Sequence, residues 1–489
     1  LSEVETFTKI PTLPISYADA KPLLEALGGQ VAPESWRGAL PITYKVGPGP
    51  AKVHLKVSFN WEMVKIHNVI GRLKGSTYPD EWVIRGNHHD AWVNGADDPI
   101  SGLAPMLEEA RALGMLVKQG WKPKRTIIYC AWDGEEQGLI GSTEWVEAHA
   151  DELRSNAVLY INTDSNGRGY LFMGGSHSLE RFINDVAKEI IDPESQLTVW
   201  KRLQLQRIRN AATPEERSEL RSSSTLHIEA LGSGSDYTPF LEHLGVASLH
   251  LGYGGMDRNG IYHSIYDDFY WYSRFSDTSF VYGRTLAQTA GTAVMRAADA
   301  DVLPFEFTRQ AATFHRYVEE LKKLLKDKRD EVIERNRQIE EGVFVATSDP
   351  RRPMVPPSID EVPPFLNFAP LENAVALLVK SAERYSSAIE KSRSAQKLRS
   401  SFINKKLIES ERRLTDAAGL PNRPWFKHLI YAPGLYTGYG VKTVPGVREA
   451  IEQKKWKEAE QEIVRAAKAL EELARSIDAA AEEATRTLR

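Results

Sequence analysis

Five short runs of β-branched and aromatic residues recur between positions 67 and 254: HNVIGRLKG (67–75), EWVIRGNH (81–88), TIIYCAWD (126–133), AVLYINTD (157–164) and VASLHLGYG (246–254). Near-continuous apolar runs of this length are the pattern of strands covered on both faces. Between the second and third runs stands SGLAPMLEEARALGMLVKQG. There Leu103, Met106, Leu107, Ala110 and Leu113 fall at helical spacing, and Gly120 follows as a stop. Strand–helix alternation of this kind predicts an α/β domain with a mostly parallel, doubly wound sheet and helices on both faces. It also says where to look for chemistry, because such sheets bind ligands beyond the carboxyl ends of their strands.

The flanks have a different texture. Residues 1–58 are turn-rich, hold one helical pattern from Tyr17 to Leu27, and read as the tail of a further domain. From about 303 the strands stop. Residues 308–341, 370–416 and 447–488 are long, charge-laced helical patterns parted by Pro-rich joints such as 349–364. They predict an all-α bundle over 303–489, following a sheet domain over 59–302. The basic stretch 201–221 reads as a solvated helical face. Lys plus Arg total 62 against 66 for Asp plus Glu, a net charge of -4, which argues for neither nucleic acid nor an anionic membrane as main partner. No run approaches the roughly 18 apolar residues of a membrane helix. The single cysteine, Cys130, sits in an apolar strand pattern and reads as core filler. No Asn-x-Ser/Thr sequon is present.

At the strand ends, acids and imidazoles accumulate. His88, His89 and Asp90 follow one strand, and Asp133, Glu135 and Glu136 the next. Asp164 closes a third, and His263 lies in the loop GIYHSIYDD beyond the last. Asp97 and Asp98 precede Pro99 at the start of the intervening helix, where Asp98 could equally be an N-cap. Asp267 and Asp268 read as a solvated turn. So many charges at one sheet edge are costly unless a cation lies between them. Zinc accepts His nitrogen and carboxylate oxygen, and two ions need a bridging carboxylate plus about two further ligands each. The adjacent Glu135 and Glu136 suit a division of labour: Glu136 on metal, Glu135 free as general base.

These segments also resemble a known family. GNHHDAWVNGADDPISG (86–102), WDGEEQGLIGSTEW (132–145), YINTDS (160–165), GSGSDYTPFLEHLGVAS (232–248) and IYHSIYDDF (261–269) are similar to motifs of the glutamate carboxypeptidase and transferrin-receptor-like branch of the cocatalytic zinc peptidases. KIPTLPISYADAKPLLEALGG (9–29) resembles the end of that family's protease-associated apical domain, and GLPNRPWFKHLIYAP (419–433) a signature of its helical dimerisation domain. The resemblance implies a di-zinc exopeptidase acting on short peptides, paired as a homodimer through its C-terminal helices. It implies that Asp98 bridges two zincs, that His88 and Glu136 complete one site, and that Asp164 and His263 complete the other. Glu135 would shuttle the proton, Tyr262 would stand beside the oxyanion, and Asp90 would orient His88. An extracytoplasmic location follows from the same resemblance, although no signal pattern opens the chain at Leu1.

The departures from the family concern specificity. A Lys-Tyr pair that grips a terminal glutamate in those enzymes corresponds here to Gly438 and Tyr439. His250, Leu251 and Gly252 stand where they carry an arginine patch, and Ser235 replaces the Asn of GSGND. Tyr439, Ser235 and His250 are therefore the candidate substrate contacts, with acidic specificity not expected. Two other functions fit the same residues: a receptor-like or trafficking protein with little turnover, and a small-molecule amidohydrolase or deacylase.

Overall fold

A computed structural model describes residues 10–60, 62–257, 260–351, 355–394 and 400–486. The chain divides into two compact units, with the border between Lys65 and Ile66. In the first, α1 (Tyr17–Glu25) is N-capped by Ser16, whose hydroxyl accepts from the Asp19 amide at 3.1 Å. Strands β1 (Gln30–Val31) and β2 (Lys45–Val46) pair antiparallel.

The second unit begins with β3 (Val69–Leu73), β4 (Tyr78–His88), α2 (Ile100–Lys118) and β5 (Arg125–Trp132). There follow α3 (Ile140–Ala148), α4 (Ala150–Asn156), β6 (Ala157–Asn162), β7 (Gly169–Gly175), α5 (Glu180–Ala187), α6 (Val199–Asn210) and α7 (Pro214–Ser222). Strand β8 (Ser248–Gly255) and helices α8 (Phe269–Phe275) and α9 (Val281–Asp299) complete the sheet region. The sheet order is β3-β5-β4-β6-β8-β7, with β5, β4, β6 and β8 parallel and the two edge strands antiparallel. Successive strand residues point to opposite faces, and Val83, Ile84 and Arg85 of β4 are each 0% exposed. Both faces of the central strand are therefore covered. The buried Arg85 charge is met by Glu109 of α2 at 3.2 Å, which also accepts from the Tyr129 hydroxyl.

Helices α10 (Thr308–Glu340), α11 (Val343–Ala346), α12 (Ala369–Ser394), α13 (Ser400–Ser410), α14 (Pro445–Glu452) and α15 (Trp456–Arg486) follow. In α15, Ile463, Ala466, Leu470, Leu473, Ile477 and Ala480 recur at helical spacing, all buried, and α15 packs along α12. These helices share one apolar core with the sheet, so the border expected near 303 crosses the middle of that core. One expectation is corrected here. The strands do not stop at 303, because β9 (Tyr431–Pro433) and β10 (Val441–Thr443) form an antiparallel hairpin. The helical pattern over 370–416 holds α12, α13 and a 3-10 turn over Glu411–Leu414. No helix of the described residues is long and apolar enough to cross a membrane.

Candidate metal centre

Strand β4 lies between β5 and β6, so the loops leaving its carboxyl end and theirs open side by side. This is the switch point where a doubly wound sheet binds ligands. His88 is the last residue of β4 and is fully buried. Its Nε2 lies 3.1 Å from Asp164 Oδ1 and 3.2 Å from Asp98 Oδ1. Asp164 follows β6. It is met there by the first turn of α2, because Gly102 packs directly on its carbonyl: a Cβ at Gly102 would lie 1.8 Å from Asp164 O. Ser101 tightens the same junction by accepting from the Asn166 amide at 2.6 Å. Asp98, just ahead of α2, is thereby carried to the sheet edge.

The third side is the loop after β5. Asp90 fastens it, accepting from the amides of Glu135 at 3.0 Å and Glu136 at 3.1 Å while its Oδ1 faces His88 Nδ1 at 3.3 Å. Glu136 Oε1 accepts from the Trp92 amide, which turns Oε2 towards His263 Nε2 at 3.2 Å. His263 reaches in from the loop after β8 with φ at 55°, and its Nε2 is 3.4 Å from Asp98 Oδ2. Two three-residue groups result, His88–Asp98–Asp164 and Asp98–Glu136–His263. In each the donor atoms lie within 4.8 Å of one another, and the two groups share Asp98. The grouping differs from the expected one, in which His88 went with Glu136 and Asp164 with His263. Side-chain placement is the reason: Asp164, just beyond β6, faces His88, whereas Glu136, held by the Trp92 amide, faces His263.

The electrostatics call for a cation. Asp98 Oδ1 is buried and accepts no hydrogen bond. Burial raises the Glu135 carboxyl to about 9, with His88 opposing and the Asp236, Asp164 and Glu136 carboxylates adding to it. Burial likewise lifts Glu136 to about 7, helped by Asp98, and Asp97 to about 8, helped by Asp267. For His88, burial opposes the proton, but the Asp164, Asp90 and Asp98 carboxylates outweigh it and hold its pKa far above the ordinary value. Nitrogen and carboxylate donors without thiolate match zinc. Cys130 is buried within β5.

Glu135 belongs to neither group. It is 8% exposed, its Oε2 lies 3.9 Å from His88 Nε2, and it lines a cleft of about 580 Å³ over the centre. Tyr262, Tyr439 and His250 line the same cleft. The Tyr262 ring stacks on His263 at 3.7 Å, and burial together with the neighbouring Tyr439 raises its pKa. The half-buried His250 contacts Asn162 Nδ2 at 2.9 Å, and burial lowers its pKa. Ser235 departs from expectation. It is 2% exposed and donates to Asp164 Oδ2 at 2.5 Å, so it orients that carboxylate instead of facing a substrate.

Asp267 corrects another reading. It is buried, not a solvated turn, and its carboxylate accepts from the amides of Asp97 at 2.6 Å and Asp98 at 3.0 Å. Asp268 caps α8 by accepting from the Trp271 amide. Asp98 is no N-cap, since Pro99 holds that position at the start of α2. The only sequence signal for Asp267 was its place four residues beyond His263, in a segment without strand or helix pattern.

Fold and site together define a candidate metal-binding scaffold: a doubly wound sheet with two acid–imidazole groups at its switch point. Residues 68–279 match Peptidase family M28, and residues 366–478 match the transferrin receptor-like dimerisation domain. It is 36% identical over 476 residues to a probable glutamate carboxypeptidase, LAMP1, of Arabidopsis thaliana, covering 94% of this chain and 60% of that protein. It is 31% identical over 499 residues to the aminopeptidase NAALADL1 of Rattus norvegicus, covering 96% and 61%. Among solved structures, an aminopeptidase from Aneurinibacillus sp. strain AM-1 matches at 22% identity and a TM-score of 0.34, over 47% of this chain and 48% of that one. The chain thus spans about 60% of the length of the curated relatives it matches.

Proposed function

We propose that this chain is a zinc-dependent exopeptidase that hydrolyses terminal peptide bonds of short peptides. The observation that carries the reading is the pair of donor groups sharing Asp98, with the unshared Glu135 beside them in one cleft. His88, Asp98 and Asp164 would hold one zinc, and Asp98, Glu136 and His263 the other. When bound, the ions supply a water with a pKa near 7 and a Lewis acid for the scissile carbonyl.

The chain's own residues do the rest. Glu135, buried and outside the ligand groups, takes the proton from the attacking water and passes it to the leaving amine. Tyr262 presents its hydroxyl to the oxygen on which charge develops, and its raised pKa keeps that hydroxyl a donor. Asp90 fixes His88 and the Glu135–Glu136 loop at once. Tyr439 and His250 border the space left for substrate. Names of relatives that include both a carboxypeptidase and an aminopeptidase support peptide hydrolysis and leave the choice of terminus to experiment. The match of residues 366–478 to a dimerisation domain supports pairing with a second copy.

The test is a panel of aminoacyl, N-blocked dipeptide and N-acyl amine substrates with added zinc, run on this chain and on Glu135→Gln. Turnover of the peptide substrates, lost in Glu135→Gln with zinc retained, is expected. Turnover of acylated amines alone would point to a deacylase, and no turnover of any substrate to a receptor-like protein.

A further inference from the structure

The segment GLPNRPWFKH is not used by the chemistry above, yet it reaches the cleft. It folds as a tight turn. The Leu420 amide donates to Phe426 O at 2.8 Å and the Phe426 amide to Arg423 O at 3.1 Å. Gly419 has a φ of +69°, and a Cβ there would lie 2.1 Å from Pro424 O, so only glycine closes this turn. Its tip, Trp425 and Phe426, lines the cleft beside the metal centre. Trp425 is clamped on three sides: Nε1 donates to Glu147 of α3 at 2.6 Å, its carbonyl accepts from His243 Nδ1 at 2.8 Å, and its ring stacks on that imidazole at 4.8 Å. Phe426 meets Trp425 edge-on at 5.0 Å.

Leu139 lines the same cleft as the third apolar member. It sits on the hydrogen-bonded turn that carries Glu135, with the Leu139 amide donating to Glu135 O at 2.7 Å. The apolar wall is therefore tied to the residue that handles the proton. Among the described lining residues there is no Lys or Arg to meet an acidic side chain.

Resting on the exopeptidase reading, we infer that Trp425, Phe426 and Leu139 form a preformed specificity wall, so that the residue flanking the scissile bond is a large apolar or aromatic one. Such a side chain exchanges water for a rigid apolar surface. A carboxylate there would lose its hydration with no cation in exchange. Hydrophobic pockets discriminate by about 10- to 200-fold per methylene-sized difference.

The experiment compares kcat/KM of the zinc-loaded chain for substrates differing only in the flanking residue: Phe, Leu, Ala and Glu. Phe and Leu are expected to exceed Glu by at least tenfold. Phe426→Ala, and separately Leu139→Ala, are expected to lower Phe and Leu at least tenfold while leaving Ala within about twofold. A parallel arm titrates free phenylalanine and free glutamate into zinc-loaded Glu135→Gln by calorimetry, with phenylalanine expected to bind at least tenfold more tightly. Turnover with equal rates for Phe and Glu, or faster Glu, overturns the wall and leaves the peptidase reading standing. No turnover with selective phenylalanine binding overturns the peptidase reading and upholds the wall. Variants that lower all four substrates equally also overturn it.

Discussion

Replacing Asp90 by Asn probes the joint on which the centre turns. The carboxylate accepts three donors with two oxygens: Oδ1 faces the Glu135 amide at 3.0 Å and His88 Nδ1 at 3.3 Å, and Oδ2 the Glu136 amide at 3.1 Å. Asparagine keeps the shape but offers one oxygen and one NH2. In either rotamer a donor then faces a donor, on the Glu135 and His88 side or on the Glu136 side. Hydrogen bonds to a charged acceptor contribute about 1.5–3 kcal/mol each, so losing one outright and weakening the others costs about 2–4 kcal/mol. Part of that appears as looser placement of His88 and Glu136, one residue from each donor group. Partners of this kind typically change metal affinity by about 10- to 100-fold. Competition of Asp90→Asn with a calibrated chelator should show zinc binding weakened by that factor, with circular dichroism unchanged. Wild-type affinity in a folded variant would refute the argument that Asp90 organises both groups.

Three more predictions follow from the same geometry. Asp267→Asn removes one of the two acceptors that hold the Asp97 and Asp98 amides, and because Asp98 is shared it should weaken both zinc equivalents in a chelator titration, whereas Asp268→Asn, at the cap of α8, should not. In metal-stripped protein, Glu135 near 9, Asp97 near 8 and Glu136 near 7 all lie above ordinary carboxyl values, so the folded state holds extra protons. The stability these three groups contribute should be full below about pH 4 and be lost as pH rises through 7–9, and zinc should flatten that slope; a flat melting profile over that range without metal would contradict this. Glu180 behaves in the opposite sense: burial opposes its charge, but His227 and Arg309 hold its carboxyl down to about 2. Its contribution, on the order of 3 kcal/mol, should be present above about pH 4.5 and lost as pH falls towards 2. Glu180→Gln should melt lower at pH 7 and show a shallower acid limb.

The strands that carry the centre were legible because β4, β5, β6 and β8 are buried on both faces and so read as unbroken apolar runs. The residues at their ends could then be gathered without knowing the sheet order. Which of them meet could not be read, because β4 neighbours both β5 and β6 and the loops decide: Asp164 faces His88, while the Trp92 amide turns Glu136 to His263. Asp267 was missed because a buried carboxylate that binds two amides looks, in sequence, like any acidic turn. Ser235 was placed at the substrate by analogy of position, whereas its short hydroxyl ends at Asp164. Trp425 and Tyr439 come from a turn and a hairpin more than 150 residues beyond His263, and no local pattern joins them to the cleft. The hairpin itself escaped because each of its strands is only three residues long.

Crystals of the zinc-loaded protein, measured on both sides of the zinc absorption edge, test the central claim most directly. Two anomalous peaks about 3.5–4 Å apart are expected, one among His88, Asp98 and Asp164 and the other among Asp98, Glu136 and His263. A single peak in fully loaded crystals, or two peaks that do not share Asp98, would contradict it.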